Sequence, residues 1–142
     1  MKISARNILA GTITNVAEGA VNGVVTIALG DLQVKADITM EAIKELGLEE
    51  GKEAFAIIKA SNVMFATGNE PIRNISARNQ LPGTVVSVRE GAVNGHVVLE
   101  LADGNRITGS ITNEAIEDLG LEEGAAALAV IKSTDVMVGV EE

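Results

Sequence analysis

The chain has no cysteine, no tryptophan and no tyrosine, and Phe55 and Phe65 are its only two phenylalanines. Without cysteine, neither disulfides nor thiolate metal sites can support a fold, and nothing marks an oxidising compartment. The scarcity of aromatics removes the stacking platforms on which single-stranded nucleic acids are held. Basic residues are few as well. Eleven Lys and Arg against 20 Asp and Glu leave a formal net charge of −9, the reverse of a nucleic-acid footprint. A single histidine, His96, cannot make a histidine metal cluster. No glycine-rich loop ends in Gly-Lys-Ser/Thr, and no serine sits in a nucleophile elbow. No apolar run approaches the ~20 residues that span a bilayer, and Met1 to Asn7 lacks the apolar core of a signal peptide. The expectation is a soluble cytoplasmic protein that is not an enzyme and has neither nucleic-acid nor membrane partners.

What the chain does have is a repeat. Ser4-Ala5-Arg6-Asn7 returns as Ser76-Ala77-Arg78-Asn79, and Glu18-Gly19-Ala20-Val21-Asn22-Gly23 returns unchanged as Glu90-Gly91-Ala92-Val93-Asn94-Gly95. Between Leu29 and Ile38, or their counterparts, the offset grows by one residue. Leu46-Gly47-Leu48-Glu49-Glu50-Gly51 then matches Leu119-Gly120-Leu121-Glu122-Glu123-Gly124, and Ile58-Lys59 matches Ile131-Lys132. A repeat has to be found before a fold is assigned. The division it implies is 1–67, a linker at 68–72, and 73–142. Units this small carry marginal cores and gain stability by packing on each other or by self-association.

Within a unit, β-forming residues over 4–16, 24–29, 34–38, 53–59 and 63–66 predict four or five strands, separated by glycine- and asparagine-bearing turns. Thr39 reads as the N-cap of a short helix that stops at Gly47, with Met40, Ile43 and Leu46 on one face. Strands with one short helix predict an all-β chain of two tandem OB-like barrels.

The two copies also show which polar residues persist. Lys44 becomes Glu117, Lys52 becomes Ala125, and Arg89 answers to Ala17. Charge is kept at Arg6 and Arg78 and at Lys59 and Lys132, and hydroxyls are kept at Ser4 and Ser76, Thr39 and Thr112, and Ser61 and Thr134. An oxyanion stripped of water needs such donors and positive charge to replace its hydration. Taken singly, the arginines could form surface ion pairs and the lysines could snorkel at strand ends. Taken together, they make an anion-site inventory. Gly-Ala-Val-Asn can be read two ways, as a tight turn that needs no ligand or as a nest of backbone N–H groups.

Ser-Ala-Arg-Asn, Gly-Ala-Val-Asn, Ile-Thr before a short helix, Leu-Gly-Leu-x-x-Gly and Ile-Lys-Ala-Ser-x-Val, in this order and in both halves, resemble the Mop domain of the molbindins. Two such domains together look like a di-Mop molbindin. The resemblance implies OB-like barrels that bind molybdate or tungstate unchanged, with no catalytic cofactor, in a homotrimer. It implies an anion held between units by Ser4 and Arg6 of one and Thr39, Lys59, Ala60 and Ser61 of a neighbour. The repeat-related set is Ser76 and Arg78 with Thr112, Lys132, Ser133 and Thr134. A second class of oxyanion site, near a three-fold axis, would use Gly19, Ala20, Val21 and Asn22, or Gly91, Ala92, Val93 and Asn94.

Two departures stand out. Asn62 becomes Asp135, which brings a carboxylate near the second set, and the family's frequent helix serine is Ala42 or Ala115 here. An all-donor site suits molybdate, which carries no proton near neutral pH, whereas phosphate's O–H wants an acceptor. No ATPase or DNA-binding segment accompanies the repeats in this sequence, so the expected role is storage and homeostasis of molybdenum. The competing reading is an OB-like oligomerisation or nucleic-acid module without a small ligand.

Overall fold

Val34 and Ala36 are buried while their neighbours Gln33 and Lys35 are exposed, the period-two signature of a strand covered on one face. The same alternation runs through Asn94–Leu101 and Arg106–Thr112, whereas Ala126–Ile131 is buried along nearly its whole length. The computed structural model describes residues 1–141. The first repeat forms β1 (Asn7–Glu18), β2 (Asn22–Leu29), β3 (Leu32–Thr39), α1 (Met40–Leu46), β4 (Glu53–Ile58) and β5 (Met64–Thr67). The second forms β6 (Asn79–Glu90), β7 (Asn94–Leu101), β8 (Arg106–Thr112), α2 (Asn113–Asp118), β9 (Ala126–Ile131) and β10 (Met137–Gly139). Short 3₁₀ turns, Ala60–Asn62 and Ser133–Asp135, follow β4 and β9. The result is two curled five-stranded antiparallel sheets, an all-β chain of two OB-like barrels.

The sheets exchange strands. One has the order β10-β4-β1-β2-β3 and the other β5-β9-β6-β7-β8. The last strand of each repeat therefore completes the other repeat's sheet: Met64 pairs with Val130, and Met137 with Ile57. Phe65 of β5 lies against Gly109 of β8, where even a single added carbon would strike the ring. One buried apolar cluster runs through both halves, from Leu9 and Ile58 to Ile107 and Val136.

Two buried asparagines seal the seam. Asn7 is 1% exposed; its Nδ2 donates to the Ile58 carbonyl at 3.1 Å and the Thr108 carbonyl at 2.9 Å, and its Oδ1 accepts from the Thr108 amide at 2.8 Å. Asn79 repeats this on β3: Nδ2 donates to the Lys35 carbonyl at 2.9 Å, and Oδ1 accepts from the Lys35 amide at 2.7 Å. Each side chain thus supplies the paired hydrogen bonds that a neighbouring strand would offer.

Local chemistry explains the remaining detail. Thr39 and Thr112 cap their helices, each hydroxyl accepting from the amide three residues on, Ala42 or Ala115, at 3.1 Å. Gly47 closes α1 in the left-handed conformation, and Met40 and Ile43 bury its inner face. The extra residue of the second repeat lies in the β7–β8 hairpin. There Gly104 adopts φ +90 and the Leu101 amide reaches the Asn105 carbonyl, whereas β2 and β3 meet tightly at Leu29 and Leu32.

The first strand begins at Asn7, later than the position 4 start its sequence predicts. Its ladder with β4 ends at the Asn7–Ile58 pair, so residues 4–6 have no strand to pair with.

Candidate anion site

Freed from the sheet, residues 4–6 run alongside the end of β4. Lys59 follows β4 in extended backbone, at φ −68 and ψ 139, and the chain then turns through Ala60–Asn62 against β8. The Asn7 clasp on Thr108 holds the N-terminal segment to that same strand. The outcome is a surface cavity of ≈ 380 Å³ lined by Ile3, Ser4, Ala5, Arg6, Lys59, Ala60, Ser61, His96, Ser110 and Met137. It has room for a small tetrahedral anion with water around it.

The structure thus brings Ser4, Arg6, Lys59, Ala60 and Ser61 into one cavity within a single chain. Arg6 and Lys59 are exposed, and among the described residues no carboxylate lines the cavity with them. The only ion pair among the described residues is Arg106 with Glu100, at 3.0 Å, so the site's cations are not neutralised from within the chain. Thr39 and Thr112 stand outside the lining, at the starts of their helices. Ser76, Arg78, Lys132, Ser133 and Thr134 occupy the repeat-related places around β3: Asn79 clasps β3 at Lys35, and the Ser133–Asp135 turn packs on the same strand. A larger cleft of ≈ 490 Å³ beside Lys52 is lined by Glu53 and Glu141, and two carboxylates oppose an anion there.

His96 and Ser110 enter the cavity from the second repeat. Looking for residues that both copies keep passes over them, because their first-repeat counterparts are Val24 and Asp37. The signal that finds them is the difference between the copies, combined with their direct pairing in the β7–β8 ladder.

Gly19 to Asn22 and Gly91 to Asn94 form the β1–β2 and β6–β7 hairpin tips, where Val21 and Val93 are 75% and 72% exposed. Neither Gly19 nor Gly91 has a positive φ, so the left-handed glycine of an amide nest is not found there. A side chain at either position would instead strike the carbonyl oxygen of Asn22 or Asn94, and this close approach accounts for the glycine. The tips also dock the helices. The Val21 carbonyl accepts from the Met40 amide at 2.7 Å, and the Val93 carbonyl from the Asn113 amide at 2.8 Å.

The cavity, lined by donors, sits on a pair of OB-like barrels. The TOBE domain family model matches residues 3–65 and again 75–138, and the chain belongs to that family as a tandem of two domains. It is 42% identical over 141 residues to the molybdenum transport protein ModE of Azotobacter vinelandii and 43% identical over 141 residues to the molybdenum-pterin-binding protein MopA of Rhodobacter capsulatus. Each alignment covers 99% of this chain but 52% and 53% of those proteins, so the chain spans about half the length of these curated relatives. Molybdenum-pterin-binding protein 1 of Clostridium pasteurianum is 55% identical over 65 residues, which are 96% of that protein and 46% of this one. The crystal structure of the cytoplasmic molybdate-binding protein ModG with molybdate bound superposes with a TM-score of 0.94 at 46% identity, covering 99% of this chain and 100% of that one.

Proposed function

We propose that this chain binds molybdate, and tungstate with it, as an intact tetrahedral dianion, and holds it in the cytoplasm as a reserve of molybdenum without transforming it. One observation carries the reading. In a chain of net charge −9, Arg6 and Lys59 share a cavity with serine hydroxyls and, among the described residues, no carboxylate. Both cations are exposed, and together they make a local positive spot that a small anion completes through charge-assisted hydrogen bonds. Arginine offers a planar fork and lysine a compact charge, and hydroxyls turn to suit the oxygens between them. The relatives named for molybdate and molybdenum-pterin binding support the same ligand class.

The site is completed in a homotrimer, where Thr39 or Thr112 of a neighbouring copy closes over the anion and the hairpin tips at Gly19–Asn22 and Gly91–Asn94 gather near the axis. Exposed Ile3, Ile8, Met64, Ile75 and Met137 support self-association, since apolar side chains left in water favour a partner surface.

Calorimetric titration with molybdate, with sulfate and phosphate as controls, tests the ligand, and native mass spectrometry tests the assembly. Molybdate binding to a trimer, with sulfate far weaker, is expected. Equal heats from all three anions, or none, would overturn the reading. Arg6→Ala and Lys59→Ala should each weaken binding by about tenfold or more, because each removes a charge-assisted hydrogen bond from a desolvated anion.

A further inference from the structure

The two repeat-related sites face different rows of the sheets. Arg89, His96 and Ser110 are direct partners across β6, β7 and β8. Directly paired residues of an antiparallel ladder point to the same face. Gly95 and Val97, on either side of His96, are buried, so this row looks outward, toward the cavity that His96 and Ser110 line. The corresponding row in the other sheet is Ala17, Val24 and Asp37. Asp37 is half-buried and takes a hydrogen bond from Asn22 Nδ2 at 3.1 Å. The turn packed on that sheet carries a second carboxylate, Asp135.

We infer that the two anion sites of each chain are unequal, and that His96 is an anion ligand of the stronger one; the inference rests on the function proposed above. At the first site a histidine and a serine, His96 and Ser110, add donors to Arg6 and Lys59. At the repeat-related second site, the places of His96 and Ser110 are taken by Val24 and Asp37, so a donor is lost and a carboxylate repels an incoming dianion. A neutral imidazole donates one hydrogen bond to the anion, and a protonated one adds charge as well. The charged groups facing His96 are Arg89 from β6, Arg6 from the N-terminal segment and Lys59 beyond β4, all positive; Ser110 on β8 is neutral.

The test is calorimetric titration with molybdate of the intact protein and of its variants. Wild type should show two affinity classes. Lys59→Ala should abolish the tighter one, and Lys132→Ala should leave it in place. His96→Val, which installs the first repeat's residue, should weaken the tighter class by about tenfold. Asp37→Ser should strengthen the weaker class. A single affinity class, matching losses in the two lysine variants, or an unaltered tight class in His96→Val would overturn the inference while leaving molybdate binding intact. Absence of molybdate binding in wild type is a separate result, and it would remove the proposed function itself.

Discussion

At the scale of single residues, the Ser-Ala-Arg-Asn motif divides its labour. Ser4 and Arg6 line the cavity, whereas Asn7 is buried and clasps Thr108 across the seam. Truncating Asn7 strands a buried amide and two carbonyls, so Asn7→Ala should cost about 2–3 kcal/mol in urea unfolding. Asn79→Ala, which strands the Lys35 amide and carbonyl, should cost a similar amount. A loss below ~0.5 kcal/mol in either would show that the clasp is not a stabilising contact. The sequence made the retention of both asparagines visible but not their role. A polar residue kept in two copies fits a ligand and a buried hydrogen-bonding plug equally well, and only burial separates the two. His96 posed the opposite difficulty, since it acts by differing from Val24.

At the scale of elements, most of the architecture was written in local pattern. The helices stand where Thr39 and Thr112 announce them, and both hydroxyls cap as expected. Thr39→Ala should cost about 1 kcal/mol of stability, while Thr39→Ser should retain most of it. Thermal unfolding reads the cap and anion titration reads any ligand contact, and serine, which keeps the hydroxyl, should retain both. A Thr39→Ala variant as stable as wild type would show the cap to be dispensable. The partners of β5 and β10 were not legible. Val63-Met64-Phe65 and Val136-Met137-Val138 have the same apolar pattern and would suit either β4 or β9. Periodicity fixes which face a strand buries but is silent on which of two near-identical sheets receives it. That Ser4, Arg6, Lys59 and Ser61 belong together was legible in their retention by both copies, and they share one cavity. Its second-repeat wall was not, because that wall depends on long-range ladder register.

At the scale of the molecule, the exchange of end strands joins the barrels into one cooperative body. With β5 in the second sheet, β10 in the first and a shared core, neither barrel is complete without the other repeat. Urea unfolding should therefore follow a single transition, coincident by circular dichroism and by hydrogen exchange in the two sheets, with Asn79→Ala lowering protection in both. Two separated transitions would show the barrels to be independent. The exchange also sets an order of events during synthesis. A ribosome delivers β1 to β4 early, yet the outer edge of β4 has no partner until Met137–Gly139 has been translated. Throughout that interval the growing chain carries an unpaired strand edge of the kind that invites pairing between neighbouring chains. The first barrel to be made is thus the last to be closed, and the time it stays open is set by how fast the second repeat is translated.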